Sequence, residues 1–336
     1  MVRAGAGCTP VDVDGGGTMK SFELNTTISN RRNLLESDLS PFDAVYLGNI
    51  YCRLYEQNFL ERLDDLREGI ARVKDAGLKA YVTTYAAPRN NFLPKIRKAL
   101  EVAASAPADA VEVHNLGVLR MAHEEFPGLK VHIGGFANVY TDAGAQVLKE
   151  YGAQRVTPNY ELSLEEIDEL AGAVDVPAEI LVHGKMPLGI SDYCFLLDYE
   201  EKWGIKCPTL CQLDLFVKKD GWAMRSAGKG IMSGKDVCML EHLPALLRSG
   251  HWAFRIEAAY ETPAYRQQIG QVYREALQRA ISDDSYAADE RWWEVVRAHA
   301  QIGLCNGFYF GKTGMEYLGV QSGALASFTG RPTAVD

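Results

Sequence analysis

Eight short apolar runs alternate with longer amphipathic segments along this 336-residue chain. The runs are Ser21–Asn25, Ala44–Leu47, Lys79–Thr84, Ala110–His114, Lys130–Gly134, Gln154–Pro158, Ala178–His183 and Ala253–Glu257. Most are rich in Val, Ile, Tyr and Phe, the signature of strands. Between them the period changes to that of a helix. Phe59–Ala76 places Leu60, Leu63, Leu66, Ile70 and Val73 at three- and four-residue spacing. Leu93–Ala106, Leu116–Glu125, Thr141–Tyr151 and Ser163–Ala173 follow the same rule, and Ser163 with Glu166 reads as a capping box. Thr262 and Pro263 open a long helix to Ser282.

Strand–helix alternation predicts parallel strands joined by crossover helices. Eight units predict an α/β fold of the (β/α)8 TIM-barrel type, with an open doubly wound sheet as the rival. Phe195–Lys235 breaks the alternation as a long excursion between the seventh and eighth strands. A long excursion in a compact domain often carries function. Residues 1–18 are expected to form a disordered, small-residue extension, and 19–336 one barrel domain ending in a helix near Asp289–Ala300.

Composition narrows the class. An apolar fraction of 47% permits a large core, and no run is long and apolar enough for a membrane span. With no signal-peptide pattern at the start, a cytoplasmic location is expected. A net charge of −9 argues against wrapping of nucleic acid. Locally the picture differs, because Lys202, Lys206, Lys218, Lys219, Arg225, Lys229 and Lys235 make the excursion basic.

Seven cysteines, an odd number, argue against a disulfide framework. Cys194, Cys207 and Cys211 lie at or within the excursion, and Cys52 follows the second strand. The C-terminal ends of barrel strands share one face, so all four emerge at one mouth. Four thiolates suit a cubane iron–sulfur cluster or tetrahedral zinc, and the spacing alone equally fits incidental thiols. Tyr85, His114, Asn138, His183 and Glu257 stand at strand ends and are candidates for a pocket. Peptidase chemistry finds little support: there is no Gly-x-Ser-x-Gly elbow and no His-Glu-x-x-His motif. Cys238 and His242 offer a weak thiol–histidine pair.

The run Glu179–Cys194, with Cys207 and Cys211 after it, resembles the U32 peptidase family. So do Ser233–Pro244, Phe254–Glu257 followed by Thr262–Tyr265, and Gly307–Lys312. The placement of Cys52 is most similar to the UbiV-like iron–sulfur proteins of that family, which serve oxygen-independent ubiquinone biosynthesis. That resemblance implies a [4Fe–4S] cluster on Cys52, Cys194, Cys207 and Cys211. In the layout of other members, Cys238 replaces Cys52. It further implies a hydroxylase component acting on an aromatic or quinone-precursor substrate, a related UbiU-like partner subunit, and prephenate as a possible oxygen donor. Relatives that hydroxylate tRNA or rRNA supply one alternative and peptidase activity another. Where the family often carries Gly-Arg after its Glu, this chain has Ala258-Ala259.

Overall fold

The computed structural model describes residues 22–53, 55, 57–199, 210–220, 222–283, 285–311 and 316–320. The expected extension at 1–18 lies outside them. Six strands arise in the first half: β1 (Glu23–Ile28), β2 (Ala44–Leu47), β3 (Lys79–Thr83), β4 (Ala110–Val113), β5 (Val131–Ile133) and β6 (Ala153–Val156). The seventh barrel strand is β7 (Glu179–Ile190). After an intervening arm, described below as β8 to β10, the eighth is β11 (Ala253–Glu257). All eight fall on the runs named from sequence.

These strands pair in parallel in the order β6-β5-β4-β3-β2-β1-β11-β7. A parallel bridge between Val156 and Ala178 joins β6 to the start of β7, supported by a 3.0 Å bond from the Val156 amide to the Pro177 carbonyl. The barrel ring is thus closed by one bridge rather than by a ladder.

Outward faces of the strands meet the helices in one apolar core. Leu24, Val45, Val82, Val111 and Ile133 pack there with side chains from α1 (Arg31–Glu36), α2 (Leu63–Asp75), α3 (Leu93–Ser105) and α4 (Leu116–Glu125). Between these and the next helices lie α5 (Asp142–Glu150) and α6 (Leu164–Val174), the latter opened by the capping box: Ser163 and Glu166 each bind the other's backbone. The long helix Pro263–Ser282 is capped by Thr262, whose side chain accepts from the Tyr265 amide. The helix Glu290–His299 buries Trp292 and Trp293. Among the described residues no helix is long and apolar enough to cross a membrane.

The excursion is an arm of antiparallel strands. β7 runs on past the barrel to Ile190 and pairs there with β10 (Gly230–Cys238), which pairs with β9 (Trp222–Ser226), which pairs with β8 (Phe216–Lys219). Arg225 ties this arm to the barrel. It is fully buried, and its guanidinium reaches Glu261 at 2.5 Å and Asp214 at 2.7 Å.

Candidate functional site

The interior of the barrel is ionic over much of its height. Arg155 on β6 contacts Glu23 at 2.6 Å and Glu179 at 3.2 Å, while Arg255 on β11 contacts Glu112 and Glu179 at 2.5 Å each. Tyr46 donates to Glu179 at 2.8 Å, and Tyr81 donates to Glu23 at 3.0 Å. Burial alone would push Glu23 upward, but Arg155 and Lys79 overcome it and hold the carboxyl near 2. His132 is driven well below its ordinary range by burial and by Arg155. This layer was not read from the sequence. Its charged residues alternate with apolar ones, as they would on a half-exposed strand.

Above the ionic layer, at the C-terminal ends of the strands, the chemistry changes. The loop after β2 carries Tyr51 and Cys52. Asn49 shapes it, its side-chain oxygen accepting from the Tyr51 and Cys52 amides at 3.0 and 3.1 Å. Cys52 and Cys211 are both buried in one cluster with Tyr51, Tyr55, Ala227, Met232 and Tyr260. The Tyr260 hydroxyl is pushed well above its ordinary range by burial and by the Cys211 thiol, and it donates to Asn49 Oδ1 at 3.4 Å. Cys194 joins from the other side. Gly228, at φ +75°, lies so close that a methyl group there would sit 3.3 Å from Cys194 Sγ and 3.9 Å from Cys211 Sγ. Cys211 thus neighbours Cys52 within one buried cluster and Cys194 across Gly228, where the arm covers the mouth. Cys207 lies outside the described residues. Among those described, no group of three or more His, Cys, Asp or Glu side chains is arranged about a metal-sized centre.

The other cysteines sit elsewhere. Cys238 ends β10 and is buried, accepts from the Tyr273 hydroxyl at 3.5 Å, and is pushed up to about 12 by burial. His242 faces the Leu318 carbonyl at 2.8 Å instead of pairing with this thiol. An un-ionised thiol without a base is a poor nucleophile and a poor ligand. Cys305, on β12 (Leu304–Cys305), is likewise buried beside β10.

The five strand-end candidates separate. His114 and Glu257 lie buried at the mouth. Tyr85 is buried nearby and donates to Glu61 at 2.9 Å. Asn138 is exposed in a left-handed turn, its side chain accepting from Asn159 at 3.2 Å. His183 departs from expectation: it points out of the barrel, 3.2 Å from the Tyr273 hydroxyl, and burial together with Lys185 drops it to about 3. The cause is a bulge. Arg255 pairs with Leu181 but the next residue, Ile256, pairs with His183, so the extra residue reverses the facing of His183.

Of the basic excursion, Arg225 is internal and Lys229 contacts Asp192 at 3.2 Å, while Lys218 and Lys219 are exposed on β8. Lys202 and Lys206 lie outside the described residues. Two surface clefts, one by Glu241, Trp293 and Tyr317 and one by Asp38, Glu68 and Arg72, share no residue with the mouth.

An eight-stranded parallel barrel whose mouth is roofed by a cysteine-bearing antiparallel arm defines the class. The chain belongs to Peptidase family U32, whose model matches residues 39–318. It is 31% identical over 282 residues to an uncharacterized protease of Methanocaldococcus jannaschii, covering 80% of this chain and 68% of that one. It is 25% identical over 355 residues to tRNA hydroxylation protein P of Escherichia coli, covering 91% and 78%. It is also 25% identical over 251 residues to the 23S rRNA 5-hydroxycytidine C2501 synthase of Escherichia coli, covering 74% of this chain and 38% of that protein.

Proposed function

We propose that this chain is a [4Fe–4S]-binding hydroxylase component that works in the cytoplasm without molecular oxygen and modifies a base in RNA. The observation that carries this reading is the nearness of Cys211 to Cys52, in one buried cluster with Tyr51, and to Cys194 across Gly228. Closely placed thiols, two of them buried and one half-buried, suit a soft, thiolate-ligated group. The ligands are Cys52, Cys194, Cys207 and Cys211. A cluster held by four cysteines supplies electron transfer or structural support. The protein itself holds and orients the substrate and keeps water out. Hydroxylation without oxygen gas needs an oxygen donor, and prephenate fills that role in this reading. The RNA target is supported by the relatives named for tRNA and rRNA hydroxylation.

A second reading, a quinone-precursor hydroxylase working with a UbiU-like subunit, is favoured by one feature, the position of Cys52 after β2. Peptidase action is disfavoured by the inert Cys238.

Protein purified without oxygen is expected to be brown, with about four irons per chain. Cys52→Ala and Cys211→Ala are expected to lose the iron, and Cys238→Ala and Cys305→Ala to keep it. Colourless protein with stoichiometric zinc overturns the cluster. Mass spectrometry of RNA and quinones from a deletion strain decides the substrate, and lost quinone with intact RNA hydroxylation selects the second reading.

A further inference from the structure

We propose that the tight turn Ala227–Gly230, which joins β9 to β10, positions the cysteines at the mouth, and that residue 228 must be glycine because the space beside it belongs to the group the thiols hold. This rests on the cluster reading and adds to it the residues that build the cluster's seat.

The backbone of the turn asks for glycine first. The Ala227 amide donates to the Gly230 carbonyl at 2.8 Å, which leaves Gly228 and Lys229 to reverse the chain. Hairpin turns of this length need a positive φ, and Gly228 supplies it at +75°. Asparagine would meet that need almost as well, because its side chain tolerates the left-handed region. The backbone alone therefore does not settle the residue.

Three ties fasten the turn to the loop that carries Cys194. The Ser191 amide donates to the Lys229 carbonyl at 2.7 Å, and the Phe195 amide donates to the Gly228 carbonyl at 3.0 Å. The Lys229 ammonium meets the Asp192 carboxylate at 3.2 Å. These ties bracket Cys194 on both sides in sequence. Two further contacts fasten the turn to the barrel. The Tyr260 hydroxyl, besides Asn49, reaches the Ala227 carbonyl at 3.3 Å. Gly230 packs so closely on the Tyr51 ring that a methyl group there would stand 2.4 Å from it. Tyr51 immediately precedes Cys52. One turn thus holds the arm's Cys194 loop and the barrel's Cys52 loop in a fixed relation.

Space then decides the residue. A methyl group on Gly228 would sit 3.3 Å from Cys194 Sγ, 3.4 Å from Cys211 Cβ and 3.9 Å from Cys211 Sγ. Both sulfurs border the same point. Free thiols can turn about χ1 to make room for such a group. Sulfurs bonded to a metal cannot turn away. The penalty for a side chain at 228 therefore falls on the loaded protein and spares the empty one, which makes Gly228 a positioning residue for the thiolate-bound group.

The test compares wild type with Gly228→Ala, Gly228→Asn, Cys194→Ser and Gly250→Ala. Gly250 also has a positive φ, +87°, but open space around it, so its variant measures the backbone cost alone. Iron per chain is measured after purification without oxygen. Each apo-protein is also titrated with Cd2+, whose ultraviolet thiolate absorption reads the same sulfurs without a cluster. Gly228→Ala and Gly228→Asn are both expected to lose most of their iron and to bind Cd2+ about tenfold more weakly, toward the level of Cys194→Ser. Their apo-proteins should melt with Gly250→Ala. Gly228→Asn matching wild type in iron and Cd2+ overturns the proposal, because only the backbone angle would then matter. Wild-type Cd2+ affinity in Gly228→Ala overturns it as well, and should that variant fail to fold, Gly228→Asn decides. Wild-type protein without iron, whose Cd2+ binding still weakens in both Gly228 variants, would overturn the cluster and leave the positioning role standing.

Discussion

The floor and the mouth of this barrel are both polar, yet they are built on opposite terms. At the floor, Glu23, Glu112 and Glu179 are matched by Arg155 and Arg255, and Tyr81 and Tyr46 donate to Glu23 and Glu179. At the mouth, two buried polar atoms, Tyr51 Oη and His114 Nδ1, lack partners among the described residues and Glu257 lacks a counter-ion of its own, because Arg255 is already shared between two other carboxylates. Satisfied buried charge makes a rigid base. Unsatisfied buried polarity is what a binding site retains for its ligand.

The largest effect is expected from Arg255→Met. It strands Glu112 and takes one of the two arginines from Glu179, and breaking a buried pair in this way costs about 3–5 kcal/mol. Urea denaturation measures it, and a loss below 1 kcal/mol would mean that the floor charges do not depend on this guanidinium.

Acid should separate the two ends by sign. Glu23 is held near 2 in the folded chain, against 4.5 ordinarily, so its contribution is present above pH 4.5 and lost as pH falls toward 2. The shift corresponds to about 3 kcal/mol. Glu23→Gln is therefore expected to lower stability at pH 7 by an amount of that order and to flatten the acid limb of a pH–stability curve.

Tyr81→Phe removes a hydrogen bond to the Glu23 carboxylate, with an expected loss of about 1.5–3 kcal/mol in the same denaturation series. No change would show that Arg155 and Lys79 suffice for Glu23.

The smallest effect belongs to the mouth. Glu257 is raised in the folded state, so its contribution is present at low pH and declines as pH rises above the ordinary carboxylate value. Glu257→Gln should leave stability within about 1 kcal/mol of wild type, with a relative gain that grows as pH rises above the ordinary carboxylate value. A large loss would place Glu257 among the floor residues in kind and erase the contrast.

Much of this was legible in the sequence. Strands such as Ala44–Leu47 and Ala253–Glu257 could be delimited because apolar runs and turn residues are local signals. The arm was less so: the run expected at Ala178–His183 continues as β7 through Gly184, Pro187 and Gly189 to Ile190, residues that weaken a strand's sequence signal. The convergence of Cys52 with the arm cysteines followed from barrel topology, whereas Tyr51, its sequence neighbour, carried no signal until its hydroxyl was found without a partner. His183 was misplaced because a bulge is a pairing property and leaves no mark in one strand's own residues.

The seam between β6 and β7 has a mechanical meaning. One backbone bridge holds it, at Val156 and Ala178. Across the same line Arg155 reaches from β6 to Glu179 at the start of β7. The hoop of strands is thus fastened at its last stave by a bolt of charge, where every other stave is glued along its length by peptide groups. Strain applied to the arm passes down β7 into that fastening, so the joint that completes the cylinder is also the first place it would spring.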